Sequence, residues 1–211
     1  MSETRKRNEE ITNNIETFAK EIYQKLQYCP IKVDDRTAQL HGVDWVDARS
    51  GIRVDDKAAI SAWNRSLESF GFELECRGNK NREGWFARSD SWTTHYGLII
   101  PRADNEELTN LTQVEVIMVS KKAIWRFLHL HGVLDVQDAL NMVDRYAVLK
   151  GDKYILDVPG CGFLMKNWRL WEEPINIHIK IKYLRNIADK VYLWTPAKDI
   201  PHATVECMAG A

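Results

Sequence analysis

Asp44, Asp55 and Lys57 are the residues whose types and spacing could do chemistry. Eleven positions separate the two acids, and Lys57 follows the second by two. Between them lies the turn-like stretch Asp47-Ala48-Arg49-Ser50-Gly51, rich in residues that bend a chain. If Ala48 to Gly51 form a four-residue hairpin loop, Asp47 pairs with Ile52, Val46 with Arg53, Trp45 with Val54 and Asp44 with Asp55. Side chains alternate along a strand, so both acids and Lys57 then share one face. Like charges directly opposite one another destabilise a strand pair. At a separation of about 5 Å and an effective dielectric near 20 the repulsion is roughly 3 kcal/mol. Water, a raised pKa or a cation can relieve it. Mg²⁺ suits the last role, because it takes one or two protein carboxylates and completes its shell with water and phosphate oxygens. A lysine beside the pair can hold a phosphate or orient an attacking water. The chemistry suggested is metal-assisted attack on a phosphodiester. The plainer alternative is a solvated hairpin tip decorated by Asp44, Asp47, Asp55 and Asp56.

Several elements must position these groups. Ile11, Ile15, Phe18, Ile22 and Leu26 recur at three- and four-residue steps and predict an amphipathic helix, which Tyr28-Cys29-Pro30 ends. The hairpin spans about 38 to 58, and a short helix is expected over Ala58 to Leu67. Phe70, Phe72 and Leu74 alternate with Glu73 and Glu75 and predict a half-buried strand. Further strands are expected at about 84–88, 94–101 and 113–119. Ser120 caps a helix from Lys121 to His131, stopped by Gly132, and Val136 to Leu149 predicts another helix.

The order helix, Gly42-Val43-Asp44 on a strand, turn, and a strand ending Asp55-Asp56-Lys57-Ala58-Ala59 resembles the PD-(D/E)XK nuclease superfamily, and within it the small phage and bacterial nucleases. Phe70-Gly71-Phe72-Glu73-Leu74, Gly84-Trp85-Phe86, Thr94-His95-Tyr96 and Val119-Ser120-Lys121-Lys122 extend the likeness, which covers residues 38 to 131. It departs from the motif in two places: Val43 stands where proline would, and the second acid is aspartate. The resemblance implies an α/β (mixed α+β) fold with a restriction-endonuclease-like core, a central mixed sheet flanked by helices. It implies a Mg²⁺-dependent nuclease, with Mn²⁺ as a substitute, acting on nucleic acid, DNA ahead of RNA. Asp44 and Asp55 would be metal ligands, the Asp56 backbone carbonyl a further ligand, Lys57 the catalytic lysine and Glu73 a third acid. A first-helix glutamate often joins such sites, and Glu16 and Glu21 both remain open. A homodimer is also open, since many related nucleases pair to cut two strands. The implied setting is the cytoplasm of a bacterial or phage-infected cell. On this reading residues 1–135 form the nuclease-like core, and 136–211 a C-terminal extension packed on the same domain.

At 211 residues, with 45% hydrophobic content and eight tryptophans, the chain can bury a full core. It has no apolar run long enough to span a membrane, and its charged start is unlike a signal peptide. Four scattered cysteines predict reduced thiols rather than a zinc site. A net charge of −1 argues against a general duplex-coating protein and asks for local basic patches. Two are candidates. Lys80 and Arg82 sit in a glycine- and asparagine-rich turn. His178, Lys180 and Lys182 alternate with Ile175, Ile177, Ile179, Ile181 and Tyr183, predicting a strand with one apolar and one basic face. Lysines that merely block an exposed edge would look the same. Leu184, Ile187, Ala188 and Val191 then mark a short helix. The rival functions are a catalytically inactive module on the same fold that binds nucleic acid or protein, an interaction protein displaying Trp168, Trp171 and Trp194, and a hydrolase of small phosphoesters.

Overall fold

A computed structural model describes residues 11, 15, 18–78 and 82–196. Lys80 and Glu16 lie outside the described residues. Among the described residues the fold is mixed α/β, with two six-stranded sheets and five helices, and contacts divide the chain into two units whose segments alternate along the sequence. No helix among the described residues is long and apolar enough to cross a membrane.

The first unit takes residues 1–67, 92–121 and 188–211. Its helix α1 (residues 18–25, with Ile11 and Ile15 also helical) buries the expected stripe. Ile11, Ile15, Ile22 and Leu26 pack with Trp45, Val54, Ile99, Val116 and Met118 in one core. Burying each large aliphatic side chain contributes about 1.5–3 kcal/mol. The helix ends through Gln27, whose φ of 65° turns the chain left-handed before Pro30 is reached. Next come β1 (Pro30–Lys32), the short helix α2 (Arg36–Leu40), β2 (Trp45–Asp47) and β3 (Arg53–Ala58). The hairpin is thus shorter than expected at its start, because Asp35 caps α2 and holds residues 36–40 helical. The expected helix after β3 is a single 3-10 turn at Ile60–Ala62.

The strands β6 (His95–Ala103), β7 (Leu111–Ser120) and β12 (Lys190–Trp194) complete a sheet in the order β1-β2-β3-β6-β7-β12. Only β3 and β6 run parallel within it. β12 replaces the expected continuation of a helix through Val191, since Val191 pairs with Ile117 in the ladder.

Asp47 locks the β2–β3 turn. Its Oδ1 accepts from the Cys29 N–H at 2.7 Å, and its Oδ2 accepts from the Ser50 N–H and hydroxyl at 3.0 and 2.6 Å. Burial works against its charge, but these donors outweigh it and hold the carboxyl below its usual pKa. Gly51, at φ 73°, closes the turn with its N–H on the Asp47 carbonyl. Asp47→Ala would orphan these donors and should cost about 2–3 kcal/mol, measured by denaturant unfolding. A loss below about 0.5 kcal/mol would remove Asp47 from this role.

The second unit takes residues 68–91 and 122–187. Its antiparallel sheet runs β5 (Arg82–Glu83), β4 (Ser69–Cys76), β11 (Pro174–Lys180), β10 (Gly162–Lys166), β9 (Lys153–Val158), β8 (Val148–Lys150). Helices α3 (Lys121–Leu130), α4 (Val136–Tyr146) and α5 (Ile181–Ile187) accompany it. Residues 84–88 are a turn rather than a strand: the Ala87 and Arg88 N–H groups both donate to the Gly84 carbonyl. Phe86 is fully buried there, stacked on Trp125 at 5.0 Å. α4 stops at Tyr146, and Val148 and Leu149 belong to β8 instead of the helix. β11 ends at Lys180, and the chain turns helical at Ile181, whose N–H donates to the Glu68 carbonyl.

Candidate active site

The β2–β3 ladder holds Trp45 opposite Val54 and Val46 opposite Arg53, with the Asp47 N–H on the Ile52 carbonyl, in the expected register. It stops there. Asp44 is not the next ladder partner of Asp55: its N–H donates to the Val54 carbonyl at 2.8 Å. Its side chain takes up the ladder instead, Oδ2 accepting from the Asp56 N–H at 2.7 Å. The Asp44 carboxylate nevertheless adjoins that of Asp55, acting on it both as a like charge and as a hydrogen-bond partner. Lys57 Nζ donates to Asp55 Oδ1. Two acids and the lysine therefore meet, as the alternation requires.

Asp55 is buried, at 4% exposure. Burial pushes its carboxyl up to about 6; the Lys57 ammonium opposes this and the Asp44 charge adds to it. Asp56 faces the opposite side of β3, into the α1 core, where its Oδ1 accepts from Tyr23 Oη at 2.6 Å and its Oδ2 from Trp45 Nε1 at 3.2 Å. Burial lifts it to about 7 against the Tyr23 hydrogen bond, with the Asp44 charge adding. Tyr23, Trp45 and Asp56 were absent from the side-chain expectations as a group. The alternation that turns Asp56 away from Asp55 was readable, but its partner is 33 residues distant.

The donor set suits a hard divalent ion. One oxygen of each carboxylate meets a protein donor, Asp44 Oδ2 the Asp56 N–H and Asp55 Oδ1 the ammonium of Lys57. In a strand the N–H and C=O of one residue point to the same edge. The Asp56 carbonyl therefore faces the Asp44 edge, past the end of the β2 ladder. The second oxygens of Asp44 and Asp55 and this carbonyl are hard oxygen donors of the kind Mg²⁺ accepts. Among the described residues no group of three or more His, Cys, Asp or Glu side chains forms a metal cluster, so this is a two-carboxylate arrangement.

The remaining candidates have other surroundings within their own units. Glu21 is exposed on α1, two residues and about 200° around the helix from Tyr23, which is the side chain α1 sends to Asp56. Glu73, on β4 in the second unit, accepts from Arg82 at 3.4 Å, and Arg82 also meets Glu172 at 3.8 Å. His178 is stacked on Phe163 at 4.5 Å and half-buried; burial, then the Lys153 charge, lowers its pKa to about 4. It is neutral near pH 7 and adds no charge to the face of β11. Lys180 is exposed there. β11 is an interior strand between β4 and β10, so blocking an edge does not explain that lysine. Lys182 is exposed too, but on α5, with its ammonium 4.8 Å from the Tyr183 ring.

The raised Asp55 pKa makes a pH prediction. A carboxyl that titrates near 6 when folded and near 3.8 when unfolded holds its proton more tightly in the native state. Its contribution is full below about 4 and is lost as pH rises through about 6. His178, lowered to about 4, changes stability in the other direction, so the comparison is between variants. In metal-free buffer the stability of Asp55→Asn relative to wild type should grow by about 1–3 kcal/mol between pH 4 and pH 7.5. A difference independent of pH would contradict the burial of an ionisable carboxyl at this position.

No protein-family model, curated protein or solved structure matches this chain.

Proposed function

We propose that the first unit is a metal-dependent nuclease of restriction-endonuclease type. One observation carries the reading: two carboxylates are held together at the end of a hairpin with Lys57 on one of them, an arrangement that costs stability unless a cation occupies it. The resemblance of residues 38–131 to the PD-(D/E)XK superfamily, and the parallel β3–β6 pair beside α1, support the same reading.

Asp44, Asp55 and the Asp56 carbonyl would hold Mg²⁺ or Mn²⁺. When bound, the ion supplies Lewis acidity that activates water and offsets charge growing on the scissile phosphate. Asp44 meanwhile fixes the Asp56 main chain through its N–H. Tyr23 and Trp45 hold the Asp56 side chain on the other side of β3, which fixes the way this residue sits in the strand. Lys57 presents a compact ammonium where the attacking oxygen gains negative charge. The partner is nucleic acid, DNA ahead of RNA.

The test is calorimetric titration of Mg²⁺ and Mn²⁺ beside a cleavage assay on single-stranded and duplex DNA and on RNA. Binding in wild type, lost in Asp44→Asn, together with metal-dependent cleavage is the expected result. Metal binding without cleavage of any substrate would favour the inactive module, and neither would end the proposal. An interaction role has one observation behind it: Trp168 and Trp171 are 44% and 71% exposed in the second unit, whereas Trp194 packs edge-on against Phe18 at 4.6 Å.

A further inference from the structure

The segment before β6 is tied to both chain stretches that carry the acids. The Trp92 N–H donates to the His41 carbonyl at 2.9 Å, and Thr93 Oγ1 donates to the Gly42 carbonyl. The Thr94 N–H donates to the Arg53 carbonyl at 2.9 Å, while Thr94 Oγ1 accepts from the Arg53 N–H at 2.9 Å. His41 precedes Asp44 by three residues and Arg53 precedes Asp55 by two. Three residues reach at most about 11 Å, so the points that anchor this segment lie within that distance of the main chain of the acids.

What rests there is aromatic. The Trp92 and His41 rings stack with centroids 4.5 Å apart and planes 8° from parallel. Trp92 is 41% exposed despite this rigid anchoring. An indole serving only the core would be enclosed; this one is held flat by His41 on one side while much of its surface meets water. Arg53 is exposed, and by alternation it shares its strand face with Asp55 and Lys57. An exposed aromatic shelf, tied by hydrogen bonds to the chain stretches that carry a cation and the two acids, matches a single strand, whose bases stack on rings while its phosphates follow positive charge.

We propose that the Trp92–His41 stack docks an unpaired nucleobase, making single-stranded or frayed nucleic acid the substrate class of the acid site. The proposal rests on the nuclease reading above. In a duplex each base already stacks on its neighbours, so a fixed exposed ring gains little from it. On an unpaired base it gains a full stacking contact, largely independent of sequence.

Fluorescence anisotropy of a labelled twelve-residue oligothymidylate, with Ca²⁺ replacing Mg²⁺ to limit cleavage, tests the proposal against a blunt twelve-base-pair duplex. Trp92→Ala should weaken oligothymidylate binding about 5- to 150-fold and leave duplex binding within about twofold. Trp92→Phe should recover most of the loss and Trp92→Leu little of it, separating ring stacking from packing. The Mn²⁺ affinity of all three variants, measured by calorimetry, should stay at the wild-type value. Equal losses on both nucleic acids, rescue by leucine, or unchanged oligothymidylate binding beside intact cleavage overturns the shelf and leaves the nuclease standing. A wild type that binds and cleaves neither nucleic acid overturns both.

Discussion

Under the nuclease proposal, Lys57→Ala and Asp55→Ala should each lower Mg²⁺-dependent phosphodiester cleavage by at least about 100-fold while the protein stays folded. The size follows from what each group can do in a water-poor site, where removing one preorganised charge-stabilising donor costs about 10²–10³ in turnover. The two variants should fail differently. Lys57→Ala keeps both carboxylates, so metal affinity should be unchanged or higher once the competing ammonium is gone from Asp55. Asp55→Ala removes half of the side-chain donors and should weaken Mn²⁺ binding together with cleavage. Folding should survive in both, because Asp55 is a buried carboxyl whose charge the fold disfavours and whose methyl replacement leaves Val54 and Asp56 facing their own core. Calorimetry, circular dichroism and a cleavage time course on the same preparations decide it. Wild-type turnover in either variant would remove that residue from the mechanism. Loss of metal binding in Lys57→Ala would show the lysine to be holding the site together rather than acting in it.

The hairpin that carries these residues was legible because everything that specifies it is local. Asp47, Ser50 and Gly51 dictate the turn, the turn dictates the register, and the register places Asp55 and Lys57 on one face. The α1 stripe was legible for the same reason. Legibility fails where one residue satisfies two periods. Ile181 continues the alternation of β11, yet with Leu184 it also makes a helical face, and the chain takes the second option. Trp85 and Phe86 look like strand residues, but Phe86 is buried from within a turn. The strands β8, β9 and β10 have three to six residues, too short for their patterns to separate from the end of α4. The site shows the same division. That Asp44 and Asp55 come together could be argued from spacing; that Asp44 would trade its ladder position for the Asp56 N–H could not. On the other side of the same residue α1 docks Tyr23 against Asp56, a contact between residues 33 apart that local patterns do not show.

The same contact makes Gly97 a position where even a methyl group is costly. The parallel register sets Gly97 beside Asp56. A Cβ there would lie 2.2 Å from Asp56 Oδ1 and 2.3 Å from the Tyr23 hydroxyl. Neither atom is a flexible tip, since the two are hydrogen-bonded to each other at 2.6 Å and Tyr23 is 1% exposed. Gly97→Ala must therefore break the bond or push β3 from β6. Overpacking costs about 1–3 kcal/mol and a lost charge-assisted bond about 1.5–3 more. The expected loss is about 3–5 kcal/mol, or roughly 10 °C or more in Tm for a chain of this size. If the clash is the cause, removing the clashing atoms should cure it. In an Asp56→Ala, Tyr23→Phe background the added methyl should cost at least about 2 kcal/mol less than in wild type, a coupling that independent sites do not show. Denaturant unfolding of the four proteins measures it. An equal cost in both backgrounds would mean that Gly97 is needed for some property of β6 itself, and that the Tyr23–Asp56 bond does not set how closely α1, β3 and β6 approach.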